Sequence, residues 1–474
     1  MKNLLYPFAF LFLFGWTMLT PWAQTTWNVG ETVLNEYDLV SGVNIPWELT
    51  WGPDDMLWCT TREGDVLRID PASGAYETVL ALNVNDSGVE PGLLGMALHP
   101  NFDSEPLLYL AYTAQDFQNG NHERLSVFYW DGSTLGNEQI LHTVGAAGIH
   151  NGSRLLVLPD NTLLMSTGDM GDGGVSSQND NSDNGKILRF NLDGSIPTNN
   201  PDPTSYVYTK GHRNSQGLCV GPNGVIYSSE HGQYNSDEFN ILEAGRNYGW
   251  PNVEGACDGV CDWCNAGAEE SFCSENNVPE PLKTWSPCAA VNDIIYYDHP
   301  AIPEWQGSVL MAVLGGFSSP VGGRLEVLNM SEDGLTLEGS EMFFTEFGQR
   351  MRDVAVNPYT GAIYLALNGP SYTGNGPNLI KEFRPAATDA VPEWKVERGL
   401  DVFPNPASDR VNVKFSETWN GQPYRVINLQ GQEWTSGILQ SGESLEVSTW
   451  PAGTYLLQAA HQDGMSLTRI LAVQ

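Results

Sequence analysis

One arrangement of apolar and polar positions recurs five times along the chain. In each copy an apolar run is followed by Pro with Asn, Asp or Gly, and then by a second apolar or aromatic run. Proline sets the first angle of a turn and Gly, Asn or Asp tolerates the second, so each copy predicts an antiparallel hairpin. The copies read LTWGPDDMLWCTT, GMALHPNFDSEPLLYLAYT, RLLVLPDNTLLMSTGD, GLCVGPNGVIYSSEHG and RDVAVNPYTGAIYLALNG.

The spacing of these hairpins predicts the architecture. The turn prolines are Pro53, Pro100, Pro159, Pro222 and Pro358. They are 47, 59, 63 and 136 residues apart, and a sixth unit, AVNDIIYYDHPAIPEWQGSVLMAVLGG at 290–316, fills the last, doubled gap. Six recurring strand units of this length predict an all-β fold, a six-bladed β-propeller over residues 25–384. A β-sandwich would not repeat one hairpin at such long intervals.

A different module follows the repeats. Residues 385–399, PAATDAVPEWKVERG, have the Pro, Ala and charged composition of a linker. Residues 400–474 contain short alternating strands separated by Gly and Asn turns. That pattern predicts a small C-terminal β-sandwich.

The N-terminus has the features of a targeting segment. Lys2 precedes an apolar stretch, and small or polar residues follow near Ala23. This order predicts a secretory signal peptide over residues 1–24. No later segment is apolar enough to span a bilayer, so we expect an exported mature chain without a transmembrane segment.

The charge balance narrows the range of partners. The chain has 22 Lys and Arg against 57 Asp and Glu, for a formal net charge of −35. Such a chain repels nucleic acid and anionic membrane surfaces. Cations such as Ca²⁺ and neutral small molecules are more natural ligands, although an acidic surface also simply keeps an exported protein in solution.

Five of the seven cysteines crowd one stretch: Cys257, Cys261, Cys264, Cys273 and Cys288. Export favours disulfide bonds between them, and because five is odd, one is expected to be free or to pair elsewhere. The spacing CDGVCDWC also allows a zinc knuckle. Zinc is the less favoured alternative, because no His lies within the cluster and the compartment is oxidising.

Polar residues just past strand ends are the candidates for chemistry, because propeller sites lie where loops meet the central channel. His150 precedes a strand among small residues and could act as a general base. Asp169 ends a strand and enters a Gly-rich loop, where it could orient His150 or simply terminate the strand.

Two arginine clusters stand out in a chain with so little positive charge. Arg213 and Asn214 could hold an anionic or carbonyl-bearing ligand, since Arg is a forked cationic donor. A structural salt bridge is the alternative. Arg350 and Arg352 are two residues apart at the start of a strand, so both face the same way and suggest a polyanionic ligand.

One acidic loop, residues 228–251, could bind a cation. Asp237, Glu238 and exposed backbone carbonyls are the hard oxygen ligands that suit Ca²⁺. The alternative is an acidic loop that holds no metal.

The motifs in this order resemble one known family. They are GLLGMALHPNF, GIHNGSRL, STGD, GKILRFNLDGSIP, GHRNSQGL, SEHG, SDEFN, NYGWP and RMRDV. Residues 38–384 resemble the soluble quinoprotein glucose/sorbosone dehydrogenases, a family that includes the aldose sugar dehydrogenases. The resemblance implies a six-bladed propeller that binds pyrroloquinoline quinone (PQQ) and Ca²⁺.

The resemblance also implies catalytic roles. His150 would take the proton of the sugar C1 hydroxyl while hydride passes to the quinone, and Asp169 would support it. Arg213 would polarise the quinone carbonyl that becomes negative, and Asn214 would hold the neighbouring oxygen.

Ligand-binding roles are implied in the same way. Arg350 and Arg352 would pair with PQQ carboxylates, and Glu90 would also contact the cofactor. The implied metal ligands are the backbone carbonyls of Gly232 and Gln233 for the Ca²⁺ on the cofactor, and Asp237, Glu238 and Tyr248 for a second, structural Ca²⁺.

The chain departs from the family pattern at several positions. Glu90 stands where the glucose-oxidising members carry Gln, and Ile149 stands where they carry an acid before the His. Gln233 replaces a Pro of the calcium loop. A cofactor-binding Lys has no match, and Trp285 lies one place earlier than the tryptophan found near the cofactor.

The C-terminal module has a resemblance of its own. FPNPASD, INLQGQ and PAGTYLL resemble the C-terminal sorting domain of type IX secretion cargo in the Bacteroidetes. This implies recognition by the type IX machinery and outer-membrane transit. The protein would then be secreted, periplasmic or anchored at the outer-membrane surface.

Three interpretations of function follow. The first is a PQQ-dependent dehydrogenase that oxidises an aldose at C1 to the lactone and passes electrons to an external acceptor. The second is a non-enzymatic propeller that binds a glycan or a protein. The third is a Ca²⁺-dependent, lactonase-like hydrolase, which predicts a ring of acidic metal ligands in the channel. The arginine pair at 350 and 352 argues against the third.

Overall fold

The computed structural model describes two compact units, residues 1–386 and 387–474. Within them the described residues are 25–116, 120–260, 266–316, 319–371, 376–386, 400–403, 410–415, 419–428, 432–440, 444–451, 453–460 and 466–473. The predicted signal peptide and most of the predicted linker lie outside these residues.

The first unit consists of six antiparallel sheets arranged as the blades of a propeller. The chain begins with β1 (Thr26–Val29) and β2 (Thr32–Ser41), which belong to blade 6. Blades 1 to 3 follow: β3 (Pro46–Trp51), β4 (Leu57–Thr61), β5 (Asp65–Ile69) and β6 (Tyr76–Ala81); β7 (Leu93–Leu98), β8 (Leu107–Asp116), β9 (Gly120–Trp130) and β10 (Leu135–Gly145); β11 (Gly152–Val157), β12 (Thr162–Thr167), β13 (Lys186–Asn191) and β14 (Val207–Lys210).

Blades 4 to 6 complete the ring, and the prediction of a six-bladed propeller is confirmed. They are β15 (Ser215–Val220), β16 (Ile226–Glu230), β17 (Asp237–Ile241) and β18 (Lys283–Trp285); β19 (Val291–Tyr297), β20 (Ser308–Val313), β21 (Arg324–Met330) and β22 (Leu337–Phe343); and, with β1 and β2, β23 (Met351–Val356), β24 (Ile363–Asn368) and β25 (Asn378–Pro385).

The first two strands of each blade are the hairpins that the sequence pattern predicts. Each of the five turn prolines lies between the two strands of such a hairpin, and β19 and β20 form the sixth hairpin within residues 290–316. All six pairs are antiparallel. The recurring turn therefore marks the same place in every blade.

Blade 6 joins the two ends of the unit. β2 pairs with β25, with Leu34 opposite Pro385 and Ser41 opposite Leu379, and β1 pairs with β2. Because strands from both ends of the unit share one sheet, backbone hydrogen bonds close the ring.

Apolar side chains fill the space between neighbouring blades. The second strands β12, β20 and β24 are buried at every position, so their sequences are continuous rather than alternating apolar runs. One core cluster joins blades 5 and 6 through Tyr297, Leu310, Val354 and Leu365.

A buried group of charges, here called the axial cluster, connects the innermost strands. It consists of Glu48 on β3, Arg154 on β11, Asp293 on β19 and Asp353 on β23. Nη1 of Arg154 lies 2.5 Å from Glu48 Oε2, 2.7 Å from Asp353 Oδ2 and 3.3 Å from Asp293 Oδ1. One guanidinium therefore faces three carboxylates.

The axial cluster reaches the remaining two blades through backbone groups. Nε of Arg154 donates to the carbonyl of Gln216 on β15 (2.8 Å), and the backbone N–H of Met96 on β7 donates to Glu48 (3.4 Å). A cavity of ≈ 840 Å³ is lined by Glu48 and Arg154 as well as by turn prolines. The cluster thus ties all six first strands together beside this cavity.

Helix is scarce in the first unit. Among its described residues it comprises α1 (Val175–Gln178), α2 (Ala266–Asn276) and 3₁₀ turns at Pro222–Gly224 and Thr345–Phe347. No helix in the described part of the chain is long and apolar enough to cross a membrane.

The cysteine-rich stretch contains α2, an element that the sequence reading did not predict. A disulfide joins Cys257 to Cys273 on α2, whereas Cys288 is a free thiol. Cys261 and Cys264 lie outside the described residues. The expectation of disulfide bonding is thereby met for one pair.

The described residues of the second unit form seven strands in two sheets. One sheet contains β26 (Leu400–Phe403), β27 (Arg410–Phe415) and β30 (Ser444–Glu446). The other contains β28 (Pro423–Asn428), β29 (Glu433–Ile438), β31 (Gly453–Ala460) and β32 (Ser466–Val473). Side chains of both sheets, among them Val411, Val426 and Leu457, share one core, as predicted for a β-sandwich.

Candidate functional site

A cavity of ≈ 220 Å³ in the propeller brings most of the predicted site residues together. Its charged lining residues are four arginines and two acids: Arg62, Arg213, Arg350, Arg352, Glu90 and Asp237. Its other predicted residues are His150, Asn214, Gly232 and Gln233. Asp169, Glu238 and Tyr248 do not line it. In a chain of net charge −35, this cavity concentrates positive charge.

His150 and Asp169 form a hydrogen-bonded pair at the edge of this cavity. His150 Nδ1 lies 2.6 Å from Asp169 Oδ1. The carboxylate thereby fixes the ring with Nδ1 protonated and leaves Nε2 as the basic nitrogen. A neutral imidazole held in this tautomer can accept a proton from a bound hydroxyl.

Asp169 is itself held in place by three further contacts. Its Oδ1 accepts from the backbone N–H of Gly171 (2.8 Å), its Oδ2 accepts from Trp250 Nε1 (2.9 Å), and its own backbone N–H donates to the Arg213 carbonyl (2.9 Å). Burial acts to raise the pKa of Asp169, but the hydrogen bonds, first that of His150, outweigh it and lower the pKa. Asp169 therefore remains ionised.

The backbone of His150 adopts an unusual conformation. Its φ is 56°, in the left-handed region that non-glycine residues seldom occupy. Glu90 Oε2 accepts from its N–H (2.6 Å), and its carbonyl accepts from Met170 N (3.2 Å). Neighbouring Gly168 has no space for a side chain, since a Cβ would lie 1.9 Å from that carbonyl. Strain of this kind persists only where the surroundings enforce it.

Arg213 contributes a cationic group held by neutral acceptors. Its Nε and Nη2 donate to Gln233 Oε1 (3.1 and 2.7 Å), and its Nη1 donates to the His231 carbonyl (3.1 Å). The guanidinium also lies 5.5 Å from the ring centroid of Trp250. Within the described residues no carboxylate forms an ion pair with Arg213, so its positive charge has no ion-pair partner there.

Arg350 and Arg352 both line the cavity, as their spacing predicted. Arg350 Nη1 donates to the Gly315 carbonyl (3.2 Å), and Arg352 Nη1 donates to Gln216 Oε1 (3.3 Å). Burial, and next the charge of Arg350, lower the pKa of Arg352 to about 9. Two cations held this close favour a ligand that carries negative charge.

Asn214 contributes a buried amide to the cavity. Its Oδ1 accepts from the Gly152 backbone (3.3 Å) and from Gln216 Nε2 (3.1 Å). These bonds occupy the oxygen, so the amide nitrogen is the group that can turn toward a ligand.

The loop that carries Gly232 and Gln233 is pinned at both ends. Asp237 Oδ1 accepts from Gly232 N (2.9 Å), and its Oδ2 accepts from the backbone of Ala290 (2.6 Å). The backbone of Cys288 donates to the Tyr234 carbonyl (2.9 Å). Asp237 therefore organises the loop through hydrogen bonds to its backbone.

The carboxylates expected at the second calcium site have backbone and amide partners. Glu238 accepts from Gly255 N (2.9 Å) and Asn240 Nδ2 (2.8 Å), and Tyr248 Oη donates to the Ile241 carbonyl (2.6 Å). Burial, and next Glu230, raise the pKa of Glu238 to about 8. Among the described residues, no group of three or more His, Cys, Asp or Glu side chains is arranged to hold a metal. This site stays a prediction.

Sequence reasoning did not single out several residues of the cavity, among them Trp47, Arg62 and His231. Trp47 and Arg62 come from a strand and a turn without a distinctive local pattern, whereas His231 lies within the SEHG motif. Burial, and next Arg213, lower the pKa of His231 to about 3, so it is neutral. Trp285, one place from the family's position, is buried on β18 against Glu326, 3.1 Å from Nε1 to Oε1, outside the cavity lining.

The first unit is a six-bladed propeller with a cavity lined by several arginines and by a histidine that pairs with an aspartate. These are features of an enzyme active site. The profile of the family described as Glucose / Sorbosone dehydrogenase matches residues 43–374, and that of the Secretion system C-terminal sorting domain matches residues 401–474.

Relatives and solved structures agree with these matches. An uncharacterized protein of Synechocystis is 33% identical over 354 residues, 69% of this chain and 82% of that protein. Quinoprotein glucose dehydrogenase B of Acinetobacter calcoaceticus is 36% identical over 252 residues, 46% of this chain and 53% of that protein. The PQQ-bound aldose sugar dehydrogenase of Streptomyces coelicolor aligns with a TM-score of 0.60 at 29% identity, covering 73% of this chain and 96% of that one.

The chain belongs to the glucose/sorbosone dehydrogenase family and carries a C-terminal secretion sorting domain. It is accordingly a sugar dehydrogenase of the quinoprotein type.

Proposed function

We propose that this protein oxidises an aldose at its C1 hydroxyl to the lactone, using PQQ and Ca²⁺, and passes the electrons to an external acceptor. The observation that carries the proposal is that one cavity is lined both by His150, paired with Asp169, and by four arginines. A base and an anion-binding surface are the two requirements of this chemistry.

The residues of the cavity suit PQQ, a planar molecule with three carboxylates. Arg350 and Arg352 would hold carboxylates, and Arg62 adds a further cation on the same lining. Trp47 offers an aromatic surface there. When bound, PQQ supplies a quinone that accepts the hydride of the sugar carbon.

The His–Asp pair performs the proton chemistry. Nε2 of His150 accepts the C1 hydroxyl proton as the C–H bond breaks, and Asp169 stabilises the imidazolium that forms, through Nδ1. Arg213 stabilises negative charge that develops next to it. Within the described residues it forms no ion pair with a carboxylate that would compensate its charge. The Asn214 amide provides a second, neutral donor.

Calcium would be held by backbone oxygens of the pinned loop. The carbonyls of Gly232 and Gln233 are the proposed ligands, because Asp237 and Cys288 fix the backbone on either side of them. Glu90 is proposed to contact the cofactor while it holds the His150 backbone.

The C-terminal sorting domain supports export through the type IX system. We propose that the enzyme acts outside the inner membrane, in the periplasm, at the outer-membrane surface or in the medium. The predicted signal peptide over residues 1–24 would start this route.

Reconstitution tests the proposed function directly. The purified protein is mixed with PQQ and Ca²⁺, and dye reduction is followed with a panel of aldoses. We expect saturable dye reduction with at least one aldose, and formation of the lactone. A protein that binds PQQ but reduces no dye with any aldose, or that binds no PQQ, would contradict the proposal and favour a non-enzymatic propeller.

Removal of the base tests its assigned role. We expect His150→Ala to keep PQQ binding and to lose turnover by about 10²–10⁴-fold, as loss of a general base does. His142→Ala is the matched control. His142 lies on β10, outside the cavity lining, and its Nε2 is likewise paired with an aspartate, 2.9 Å from Asp183 Oδ2. Equal turnover in His150→Ala and His142→Ala would remove His150 from the mechanism.

A further inference from the structure

The hydrogen bonds from Arg213 to Gln233 divide the N–H donors of this arginine into two sets. Nε and Nη2 form one of the two edges with which an arginine can bind a carboxylate in a bidentate fashion. Here both donate to Oε1 of Gln233, at 3.1 and 2.7 Å. Nη1 donates to the His231 carbonyl at 3.1 Å. Arg213 can therefore still offer a ligand two N–H groups, one on Nη1 and one on Nη2.

The backbone on both sides of Gln233 is fixed by hydrogen bonds. Gln233 lies between Gly232, whose N–H donates to Asp237, and Tyr234, whose carbonyl accepts from Cys288. Gly232 has no space for a side chain, since a Cβ would lie 2.0 Å from the Asn235 carbonyl. Trp250, 5.5 Å from the guanidinium, limits its movement on another side. Gln233 thus has a fixed backbone from which to orient Arg213.

We propose that Gln233 is a positioning residue that occupies the Nε/Nη2 edge of Arg213, so that Arg213 contacts the bound cofactor only through its remaining Nη–H donors. Carboxylate recognition then falls to Arg350 and Arg352, and Arg213 is kept for the atom where negative charge develops. This inference rests on the proposed function.

The neutral amide is essential to this arrangement. A carboxylate at position 233 would hold the same edge of Arg213 but compensate its charge, whereas an apolar side chain would leave the edge free to bind a carboxylate. Gln holds the orientation and preserves the charge. Gln233→Glu and Gln233→Met therefore separate the two roles.

Each variant has its own expected effect on turnover and on PQQ binding, measured by titration and by the absorbance spectrum of the bound cofactor. We expect Gln233→Met to bind PQQ at least as tightly as the wild type, with an altered spectrum, and to lose kcat by about tenfold or more with little change in KM. We expect Gln233→Glu to weaken PQQ binding by about tenfold. Gln139→Met, at an exposed glutamine of β10, should match the wild type in every readout.

A double-mutant comparison shows whether Gln233 acts through Arg213. In an Arg213→Lys background, which lacks the forked edge, Gln233→Met should have no further effect on kcat. Additive losses, or Gln233→Met and Gln233→Glu that both behave as the wild type, would overturn the inference and leave the proposed function intact. A wild type that binds no PQQ would overturn both.

Discussion

The axial cluster and the cavity both contain buried arginines, but they treat the charge in opposite ways. In the axial cluster three carboxylates from three other blades surround Arg154. In the cavity, Arg213 and Arg352 donate to amide and carbonyl oxygens instead. Compensated charge stabilises the fold, whereas uncompensated charge in a cavity is available to an anionic ligand. The two regions therefore differ in the groups that accept hydrogen bonds from arginine: carboxylates in the axial cluster, and amide and carbonyl oxygens in the cavity.

The largest expected difference concerns stability. Arg154→Met leaves three buried carboxylates without their cation, and we expect a loss of about 3–5 kcal/mol in the free energy of unfolding. Arg352→Met removes a half-buried cation that the fold does not compensate with an ion pair among the described residues, and we expect no loss. Chemical denaturation of the two variants beside the wild type measures the difference. Equal destabilisation by both would contradict the distinction.

The pH dependence of stability gives the next effect. Burial raises the pKa of Glu48 and Asp293 well above their usual range and that of Asp353 to about 6, against about 4 in an unfolded chain. The folded state then binds more protons between these values. The stability from this source is complete below about pH 4 and is lost as the pH rises through about 6.

Asp353→Asn tests this dependence. Denaturation at pH 4.5 and 7.5 should show that the variant loses less stability over this interval than the wild type, by on the order of 2 kcal/mol. Asp237→Asn would not serve as a control, because it alters the proposed calcium loop. Exposed Asp55→Asn provides a control that should retain the wild-type slope. An unchanged slope in Asp353→Asn would mean that the axial cluster does not take up protons.

The smallest expected effect concerns the residue that contacts both regions. The Trp47 ring centroid lies 4.4 Å from the Arg154 guanidinium and 5.9 Å from that of Arg352, and Trp47 also lines the cavity. Trp47→Phe keeps a smaller aromatic face. Loss of about 0.5–1 kcal/mol of cation–π stabilisation should lower PQQ affinity about two- to fivefold and stability by a similar free energy. A larger effect on binding alone would place Trp47 in direct contact with the cofactor.

The features that could be predicted from the sequence are those formed by residues close together in the chain. The hairpins were predictable because each turn lies within a few residues of chain, where Pro and Gly determine the backbone. Arg350 and Arg352 were predictable because they are two residues apart in the chain, at the start of β23. The axial cluster was not, because Glu48, Arg154, Asp293 and Asp353 lie on separate blades and no local pattern links them.

Side-chain direction was equally beyond a sequence reading. From the sequence, Gln233 was only a replacement for a proline, with a backbone carbonyl that could still bind calcium. Its side-chain amide nevertheless holds Arg213. Trp285 differs by one place from the family's cofactor tryptophan; it lies on β18, the outermost strand of blade 4, and Trp250 is the tryptophan that contacts Asp169. Such assignments depend on which blade face a side chain occupies.

One measurement tests the central claim most directly: titration of PQQ, with Ca²⁺ present, into the wild type and into Arg352→Met, with the fold of each checked by its unfolding curve. The account predicts saturable binding to the wild type and at least about tenfold weaker binding to a variant of unchanged stability. Equal affinity in the two proteins, or no binding to a folded wild type, would contradict the claim that uncompensated cavity arginines hold the cofactor.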